Sequence, residues 1–382
     1  MRTRTILSFL PLVCALVCVA PAVAQSGKKS LRRTDETFFQ TDEARRIGEQ
    51  VLAYQRCTGG WPKNIDMAAP LTDAELQRVL SEKSRRDDST VDNNATIMQL
   101  VYLAWLYRAT DDARYSEAFR RGVEFLLSGQ YPNGGWPQFW PEPSGYQKHI
   151  TFNDDAIANI LKMFHGVLTD STPYDGDLVD KSLRKRISRA FDKGIACILR
   201  TQIVVDGTPT VWCQQHDRET FAPAPARAYE LPSFCSQESA AIVDLLMKLP
   251  HPDGRVKRAV HGAMQWFDRY KITGLRLVRT GKKGSPDCDT RLVADANAGP
   301  LWARFYDLEH CEPYVCDRDG IPRRRLEEIG SERRNGYSWY GTRPADLYPL
   351  YEAWAERHDP KHKVAIDLTS KGANENGTFS ME

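Results

Sequence analysis

Two short acidic segments, each placed directly before an apolar run, carry the side chains best suited to hold a cation. Residues 90–97 read TVDNNATI and residues 151–160 read TFNDDAIANI, so nearly the same sequence occurs twice. Carboxylates that are brought together repel each other unless a proton or a cation lies between them. Calcium takes oxygen ligands from several segments of a chain. We therefore predict a calcium site with Asp92, Asp154 and Asp155 as ligands, although any one of these residues alone could simply cap a helix.

Three arginines in polar, aromatic-rich segments are the candidates for binding an anion. Arg227 lies in APARAYELPS, Arg304 in LWARFYDLE and Arg318 in VCDRDG. Pro223 and Pro225 hold the chain before Arg227 extended, which fixes the place of this side chain. Each arginine alone could be the ion-pair partner of a nearby acid. Together with a bound cation, they predict a site for a polyanion whose charges are carboxylates, because arginine binds carboxylates bidentately.

A repeat of about 75 residues must position these side chains. Trp61 of CTGGWPKN and Trp136 of PNGGWPQF are 75 residues apart, and Trp212 follows after 76 more. Each tryptophan follows a helical pattern and precedes an acidic helix start. Inner helices are predicted to begin near residues 92, 153 and 236, and outer helices to run near 113–128, 182–202 and 254–271. This pattern predicts an all-α fold, an α/α toroid of about three helical hairpins whose equivalent loops gather at one end.

Residues 273–345 break the helical pattern and are rich in Gly, Pro and Arg. A loop of this length is usually functional or disordered, and the aromatic residues between 302 and 340 are too many for disorder. We predict a long irregular excursion that covers the active-site end of the toroid.

The ends of the chain have the composition of targeting and linker segments. Arg2 and Arg4 precede an apolar stretch, and Ala22-Val23-Ala24 offers a cleavage site, so the mature protein is predicted to be exported, either periplasmic or secreted. A retained membrane anchor is the alternative. The predicted segments are a signal peptide at 1–24, a polar linker at 25–38, a catalytic domain at 39–368 and a flexible tail at 369–382.

Charge and motif content exclude several classes of function. The chain has 52 basic and 50 acidic residues, and removal of Arg2 and Arg4 leaves 50 of each, which argues against a nucleic-acid partner. HExxH and C-x-x-C motifs are absent from the sequence, which disfavours a transition metal. His216 and Asp217 could form an acid–base dyad, but adjacent residues do not turn toward each other, so we prefer a structural role. No membrane contact is expected after signal removal, and a monomer is predicted.

Nine segments, in chain order, resemble family 10 of the polysaccharide lyases, the pectate lyases. They are GGWPKN, TVDNNAT, NGGWPQF, TFNDDAI, WCQQHD, APARAYELPS, WARFYDLE, CDRDG and GYSWYGTRP. The resemblance runs from about residue 40 to 355. It implies an α/α toroid that cleaves polygalacturonate by calcium-assisted β-elimination and leaves 4,5-unsaturated oligogalacturonates.

The resemblance also implies roles for individual residues. Asp154 would ligate calcium, and Asp92 would belong to the same calcium and substrate constellation. Arg227 would be the catalytic base. Arg304 and Arg318 would bind substrate carboxylates. Asn93 of the first acidic segment, an oxygen donor beside Asp92, is predicted as a further substrate-binding residue.

Two other functions fit the residues themselves. A glycoside hydrolase on the same toroid would use Asp92 with Asp154 or Glu238 as its acid and base. A non-catalytic protein that binds an acidic glycan would use the same charges without cleaving the polymer.

Overall fold

The structure of the protein, a computed structural model, describes residues 31–369. The predicted signal peptide and the predicted tail from residue 370 onward lie outside the described residues. Within the predicted linker, Glu36–Phe39 form a short helix, and Leu31 and Phe38 are buried. No helix between residues 31 and 369 is both long and apolar enough to cross a membrane.

Eleven helices and twelve short strands make up the described chain. The helices are α1 (Glu36–Phe39), α2 (Asp42–Tyr54), α3 (Asp73–Ser81), α4 (Ile97–Thr110), α5 (Ala113–Gly129), α6 (Ala156–Leu168), α7 (Lys181–Thr201), α8 (Ser236–Met247), α9 (Gly254–Tyr270), α10 (Ser331–Gly336) and α11 (Leu347–His358). The strands are β1 (Ile150–Thr151), β2 (Val204–Val205), β3 (Thr208–Pro209), β4 (Gln215–His216), β5 (Phe234–Cys235), β6 (Leu275–Thr280), β7 (Asp289–Ala294), β8 (Trp302–Ala303), β9 (Phe305–Tyr306), β10 (Pro313–Cys316), β11 (Pro322–Arg323) and β12 (Tyr340–Gly341).

The predicted fold class is wrong. The structure is mixed, 48% helical with several small sheets, and is not an all-α toroid. A four-stranded sheet has the order β11-β10-β9-β5, and four two-stranded ribbons pair β1 with β4, β2 with β3, β6 with β7 and β12 with β8. Most of these strands have only two residues, which is too short for a period-two pattern to stand out in the sequence.

The prediction of an irregular excursion at 273–345 is also wrong, because most of the small strands lie in this segment. This segment holds seven of the strands, including the long antiparallel ribbon of β6 and β7. Strand β9 pairs with both β5 and β10, so the segment is joined by hydrogen bonds to the chain before α8. Its aromatic residues Phe305, Tyr306 and Tyr314 are buried in the core.

Four tryptophans mark four equivalent units, one more than predicted. Each is completely buried, and its indole N–H donates to a carbonyl of the helix that precedes it. The bonds run from Trp61 to Val51 at 2.8 Å, from Trp136 to Leu126 at 2.7 Å, from Trp212 to Ile198 at 2.7 Å and from Trp302 to Phe267 at 2.8 Å. We call α2, α5, α7 and α9 the lead helices, and α4, α6, α8 and α11 the following helices.

The two sets of helices begin differently. Every lead helix starts at a capping side chain that accepts a backbone N–H bond, and these caps are Thr41, Asp112, Asp180 and Asp253. None of the four following helices, all within the described residues, has a side-chain cap at its start. The following helices lie side by side, since α4 contacts α6, α6 contacts α8 and α8 contacts α11. Their uncapped ends therefore belong to one region.

The glycines before the first two tryptophans allow close approach of two backbones. Gly59 and Gly134 have φ of 92° and 96°, in the left-handed region. A Cβ on Gly134 would lie 2.0 Å from the carbonyl oxygen of Lys193, and a Cβ on Gly59 would lie 2.3 Å from that of Arg121. These turns are packing devices, as expected for glycine at such positions.

Candidate active site

The two acidic segments fold into the same backbone turn. Asp92–Asn94 and Asn153–Asp155 are both single 3₁₀ turns; the first ends two residues before α4 and the second directly precedes α6. Asn93 and Asp154 share a φ of 52°, and the next residues, Asn94 and Asp155, have φ of 67° and 62°. By conformation Asp92 therefore corresponds to Asn153, and Asn93 corresponds to Asp154. Neither Asp154 nor Asp155 caps α6, so the helix-cap alternative does not hold for them.

Asp92 and Asp154 nevertheless face each other across these turns. Burial raises the pKa of Asp154 to about 7; Arg304 opposes this shift, whereas the negative charges of Asp92 and Glu238 add to it. Burial alone would also raise the pKa of Asp92, but the adjacent Lys63 ammonium outweighs it and lowers that pKa. Asp92 is only 4% exposed, and its Oδ1 atom has no hydrogen-bond donor within residues 31–369. Asp92 and Asp154 therefore form a carboxylate pair in which Asp92 Oδ1 can still accept a hydrogen bond or bind a cation.

The residue two places after each buried tryptophan points to these turns. These four residues are Lys63, Gln138, Gln214 and Arg304. Lys63 Nζ donates to Asp92 Oδ2, and Gln214 Nε2 donates to Asn153 Oδ1. Gln138 lies close enough to Asp92 to help lower its pKa. The internal repeat thus brings one polar side chain per unit to a common place.

Arg304 is the most deeply held of the predicted arginines. It is 9% exposed and donates to Glu238 Oε1 and, at 3.1 Å, to Asn153 Oδ1. Its Nη2 atom lies 3.8 Å from Asp154 Oδ1. Glu238 is 2% exposed and also accepts from the Cys235 thiol at 2.6 Å. Because its carboxylate is committed to these two donors, Glu238 is unsuited to the acid or base role that a hydrolase would need.

Arg227 forms an ion pair with Glu230, a residue that sequence analysis did not identify. Its Nε donates to Glu230 Oε2 at 2.7 Å and its NH2 to Glu230 Oε1. Burial favours the neutral guanidine, but the contact with Glu230 outweighs it and raises the pKa of Arg227 above its ordinary value. Tyr337 donates to the same carboxylate at 2.7 Å. Arg227 is therefore a cation in the free protein.

Two tyrosine rings join the three predicted arginines. Tyr337 lies under Arg227 and Arg304, with 5.6 Å and 4.9 Å from the guanidinium carbon to the ring centroid. Tyr229 lies under Arg227 at 4.9 Å and under Arg318 at 5.9 Å. The structure thus brings together Arg227, Arg304 and Arg318, although they are up to 91 positions apart in the sequence.

Arg318 and Asp155 lie at the edges of this region. Arg318 is mostly exposed and pairs with Glu332 at 3.0 Å. Asp155 accepts from Arg343 at 2.9 Å instead of facing Asp92. Asp155 and Arg343 line a cavity of about 480 Å³ that also reaches Asn93, Asp154 and Arg304.

The oxygen atoms at this site suit a hard cation, but they supply only part of its coordination shell. Within the part of the chain that the structure describes, no three His, Cys, Asp or Glu side chains converge into a ready-made metal site. Asp92 and Asp154 supply two carboxylates, and Gln138 Oε1 is a further buried oxygen without a donor in the same part of the chain. Calcium takes six to eight oxygen ligands, including water, so these residues fit an ion whose remaining ligands come from solvent and substrate.

His216 has a structural role, as preferred from the sequence. It is completely buried, its Nε2 accepts from the Cys213 backbone N–H at 3.0 Å, and its Nδ1 lies 2.9 Å from the Phe221 carbonyl. Burial lowers the pKa of His216 to about 4. Its ring packs edge-on against Phe152, directly before the second acidic turn.

Comparisons with known proteins agree with this arrangement. A family model described as pectic acid lyase matches residues 55–348. A family 10 polysaccharide lyase from Cellvibrio cellulosa is 31% identical over 88% of this chain and 98% of its own, with a TM-score of 0.74. An Asp→Ala mutant of a family 10 polysaccharide lyase from that organism, in complex with trigalacturonic acid, is 30% identical over 87% of this chain and 97% of its own, with a TM-score of 0.73. A search of curated proteins finds no match.

Proposed function

The chain belongs to the pectic acid lyase family and is a polysaccharide lyase, and we propose that it cleaves α-1,4-linked polygalacturonate by calcium-dependent β-elimination. The observation that carries this proposal is the pair of carboxylates formed by the buried Asp92 and the partly exposed Asp154, beside three arginines that share two tyrosine rings. A carboxylate pair without enough positive charge suits a divalent cation, and guanidinium groups suit uronate carboxylates. Trigalacturonic acid bound to the similar lyase supports the same substrate class.

In this proposal Asp92 and Asp154 hold the calcium ion, and Asn93 contacts the substrate beside them. The bound ion would withdraw electrons from a uronate carboxylate and so acidify the hydrogen on C5. Asp155 was predicted as a third ligand, but its contact with Arg343 favours a role at the cavity wall. Arg304 and Arg318 would each take a substrate carboxylate, Arg304 from a fixed place and Arg318 from the surface.

Arg227 is the proposed base. It would remove the proton from C5, the C4–O4 bond would break with its electron pair leaving on O4, and a C4=C5 double bond would form. O4 then takes a proton, so the products are a shortened chain and a 4,5-unsaturated end, with no water consumed. A neutral arginine at pH 9 costs roughly 5 to 6 kcal/mol, and the contact with Glu230 adds to this cost. Activity should therefore climb well into the alkaline range.

The test is incubation of the enzyme with polygalacturonate, with and without a chelator, while the ultraviolet absorbance of the unsaturated product is followed. Asp154→Ala should abolish both activity and the effect of calcium. Asp170→Ala is a matched control, because Asp170 has a φ of 50° and pairs with an arginine outside the site. Reducing sugar without new absorbance would indicate a hydrolase, and binding without shortening would indicate a non-catalytic glycan-binding protein.

We also propose that the enzyme is exported after cleavage near Ala24 and works as a monomer. The targeting pattern at the N-terminus and the nature of the substrate support export. N-terminal sequencing of the mature protein and its mass in solution test these two statements.

A further inference from the structure

Lys63 lies next to the predicted calcium ligands, and the proposed reaction gives it no role. Its ammonium contacts Asp92 Oδ2, and the same nitrogen lies over the Phe139 ring, 5.1 Å from the ring centroid. Asp92 is the one carboxylate that Lys63 contacts in residues 31–369. The lysine side chain is 33% exposed, whereas that of Asp92 is 5% exposed. A partly exposed cation thus rests on a buried anion.

The internal repeat shows that this placement is built into the fold. Lys63 follows Trp61 by two residues, as Arg304 follows Trp302 by two. Both tryptophans are completely buried and bonded to their lead helices, so the two cations occupy equivalent positions in the first and fourth units. Equivalent positions in the two middle units carry neutral glutamines, Gln138 and Gln214.

The two cations differ in how firmly they are held. Arg304 donates to Glu238 and Asn153 and lies over Tyr337, and the Glu238 carboxylate that it contacts is itself buried. Lys63 has one carboxylate contact and a flexible four-carbon stem that ends in a single compact charge. Arg304 is therefore a fixed cation, and Lys63 is a cation that can leave its partner.

We propose that Lys63 is an internal counter-cation that neutralises Asp92 in the substrate-free enzyme and that calcium must displace from it. This inference rests on the calcium dependence proposed above. A second observation points to the same place, because Asp92 Oδ1 is buried with no donor in the described chain while Oδ2 is taken by the ammonium. A calcium ion that binds both oxygens of this carboxylate takes the place of the ammonium at Oδ2, and two cations at one carboxylate repel each other.

Displacement has a consequence for how calcium and substrate bind. The released ammonium is partly exposed at the edge of the site, where a uronate carboxylate of the bound polymer can pair with it. Calcium binding is then weak without substrate and stronger with it, and by linkage the substrate binds more tightly with calcium present to the same factor. Lys63 sets the size of this coupling.

The test is calorimetric titration of calcium with and without trigalacturonate, in an Arg227→Gln background that lacks the proposed base and so keeps the substrate intact. Without trigalacturonate, Lys63→Gln should bind calcium at least about ten-fold more tightly, which is 1.4 kcal/mol. The gain in calcium affinity on adding trigalacturonate should shrink toward one-fold. Lys63→Met, which keeps the aliphatic stem, should behave like Lys63→Gln, and Lys63→Arg, which keeps the charge, should behave like the parent protein.

Lys363→Gln is a matched control, because Lys363 is 27% exposed and pairs with Glu356 at 2.9 Å outside the site. It should leave both calcium titrations unchanged. If the parent protein binds calcium and both neutral Lys63 variants show the same affinity and coupling, the inference is wrong and the proposed function stands. If the parent protein binds no calcium under conditions in which it cleaves polygalacturonate, the calcium dependence and the inference are both wrong.

Discussion

Replacing Glu230 with glutamine should make the enzyme faster at a fixed alkaline pH. The glutamine keeps one oxygen, which can accept from Tyr337 and from Arg227 as Glu230 Oε1 does, but it removes the negative charge and the second oxygen, to which Arg227 Nε donates at 2.7 Å. Glu230 raises the pKa of Arg227, so its neutral counterpart should lower that pKa and increase the fraction of Arg227 that can act as a base.

The size of the effect follows from the geometry of the ion pair. Two unit charges about 4 Å apart interact by about 4 kcal/mol at an effective dielectric constant of 20. The Arg227 side chain is 43% exposed, so solvent screening reduces this to about 1 to 2 kcal/mol. That corresponds to about one pKa unit. Because a less basic group is also a weaker base, we expect a gain of about three-fold to ten-fold in kcat/KM.

The assay is the initial rate of unsaturated product formation on polygalacturonate between pH 7 and 10.5. In the parent enzyme, the logarithm of kcat/KM should rise by about one per pH unit, because this range lies below the pKa of Arg227. Arg227→Lys should instead level off near the ordinary lysine pKa of about 10.4 if it retains activity. Glu124→Gln, which removes an exposed partner of Arg186, should change nothing. A Glu230→Gln enzyme that is slower at every pH would refute the base role of the Arg227–Glu230 pair and leave Glu230 as a positioning residue.

Three further outcomes concern stability and can be measured by urea unfolding. Glu238→Gln should cost about 3 to 5 kcal/mol, because it leaves the buried Arg304 without its counter-charge. Acidification should lower the free energy of unfolding by about 3 kcal/mol through His216, because its pKa of about 4 in the folded protein lies below the ordinary 6.5. The loss should run from about pH 6.5 down to pH 4. A His216→Asn protein should lack this part of the pH dependence. Gly134→Ala should cost more than 3 kcal/mol because its Cβ would strike the Lys193 carbonyl, whereas Gly207→Ala, also at positive φ but with open space around it, should cost about 1 kcal/mol.

The sequence predicted the repeat and its helices better than the fold class. Trp61, Trp136 and Trp212 indicated three units because their spacing is regular, and the helices around them form as predicted. Trp302 belongs to a fourth unit but follows Trp212 by 90 residues, because the β6–β7 ribbon is inserted before it. Strands of two residues form because distant segments pair in the folded protein, and two residues are too few to show an alternating pattern in the sequence.

At the site, the sequence identified residues but not their partners. The grouping of Arg227, Arg304 and Arg318 is as predicted, whereas Glu230 and Tyr337, which hold Arg227, lie in loops without a periodic pattern. Lys63 carried a usable signal, since its spacing from Trp61 equals that of Arg304 from Trp302. That signal becomes visible only when the fourth unit is known. The roles assigned to the aspartates and to calcium stay predictions.

The difference between capped lead helices and uncapped following helices decides where stabilising substitutions can be made without harm to activity. A substitution that adds a cap is a common route to a more heat-resistant enzyme. Among the lead and following helices, the lead helices already have their caps, and the vacant positions are at the starts of α4, α6, α8 and α11. The turns before α4 and α6 carry the carboxylates and the amide proposed to meet the ion and the polymer. Adding N-cap residues to raise heat resistance should therefore lower turnover. Stabilising substitutions are better placed in the exposed loops far from these turns.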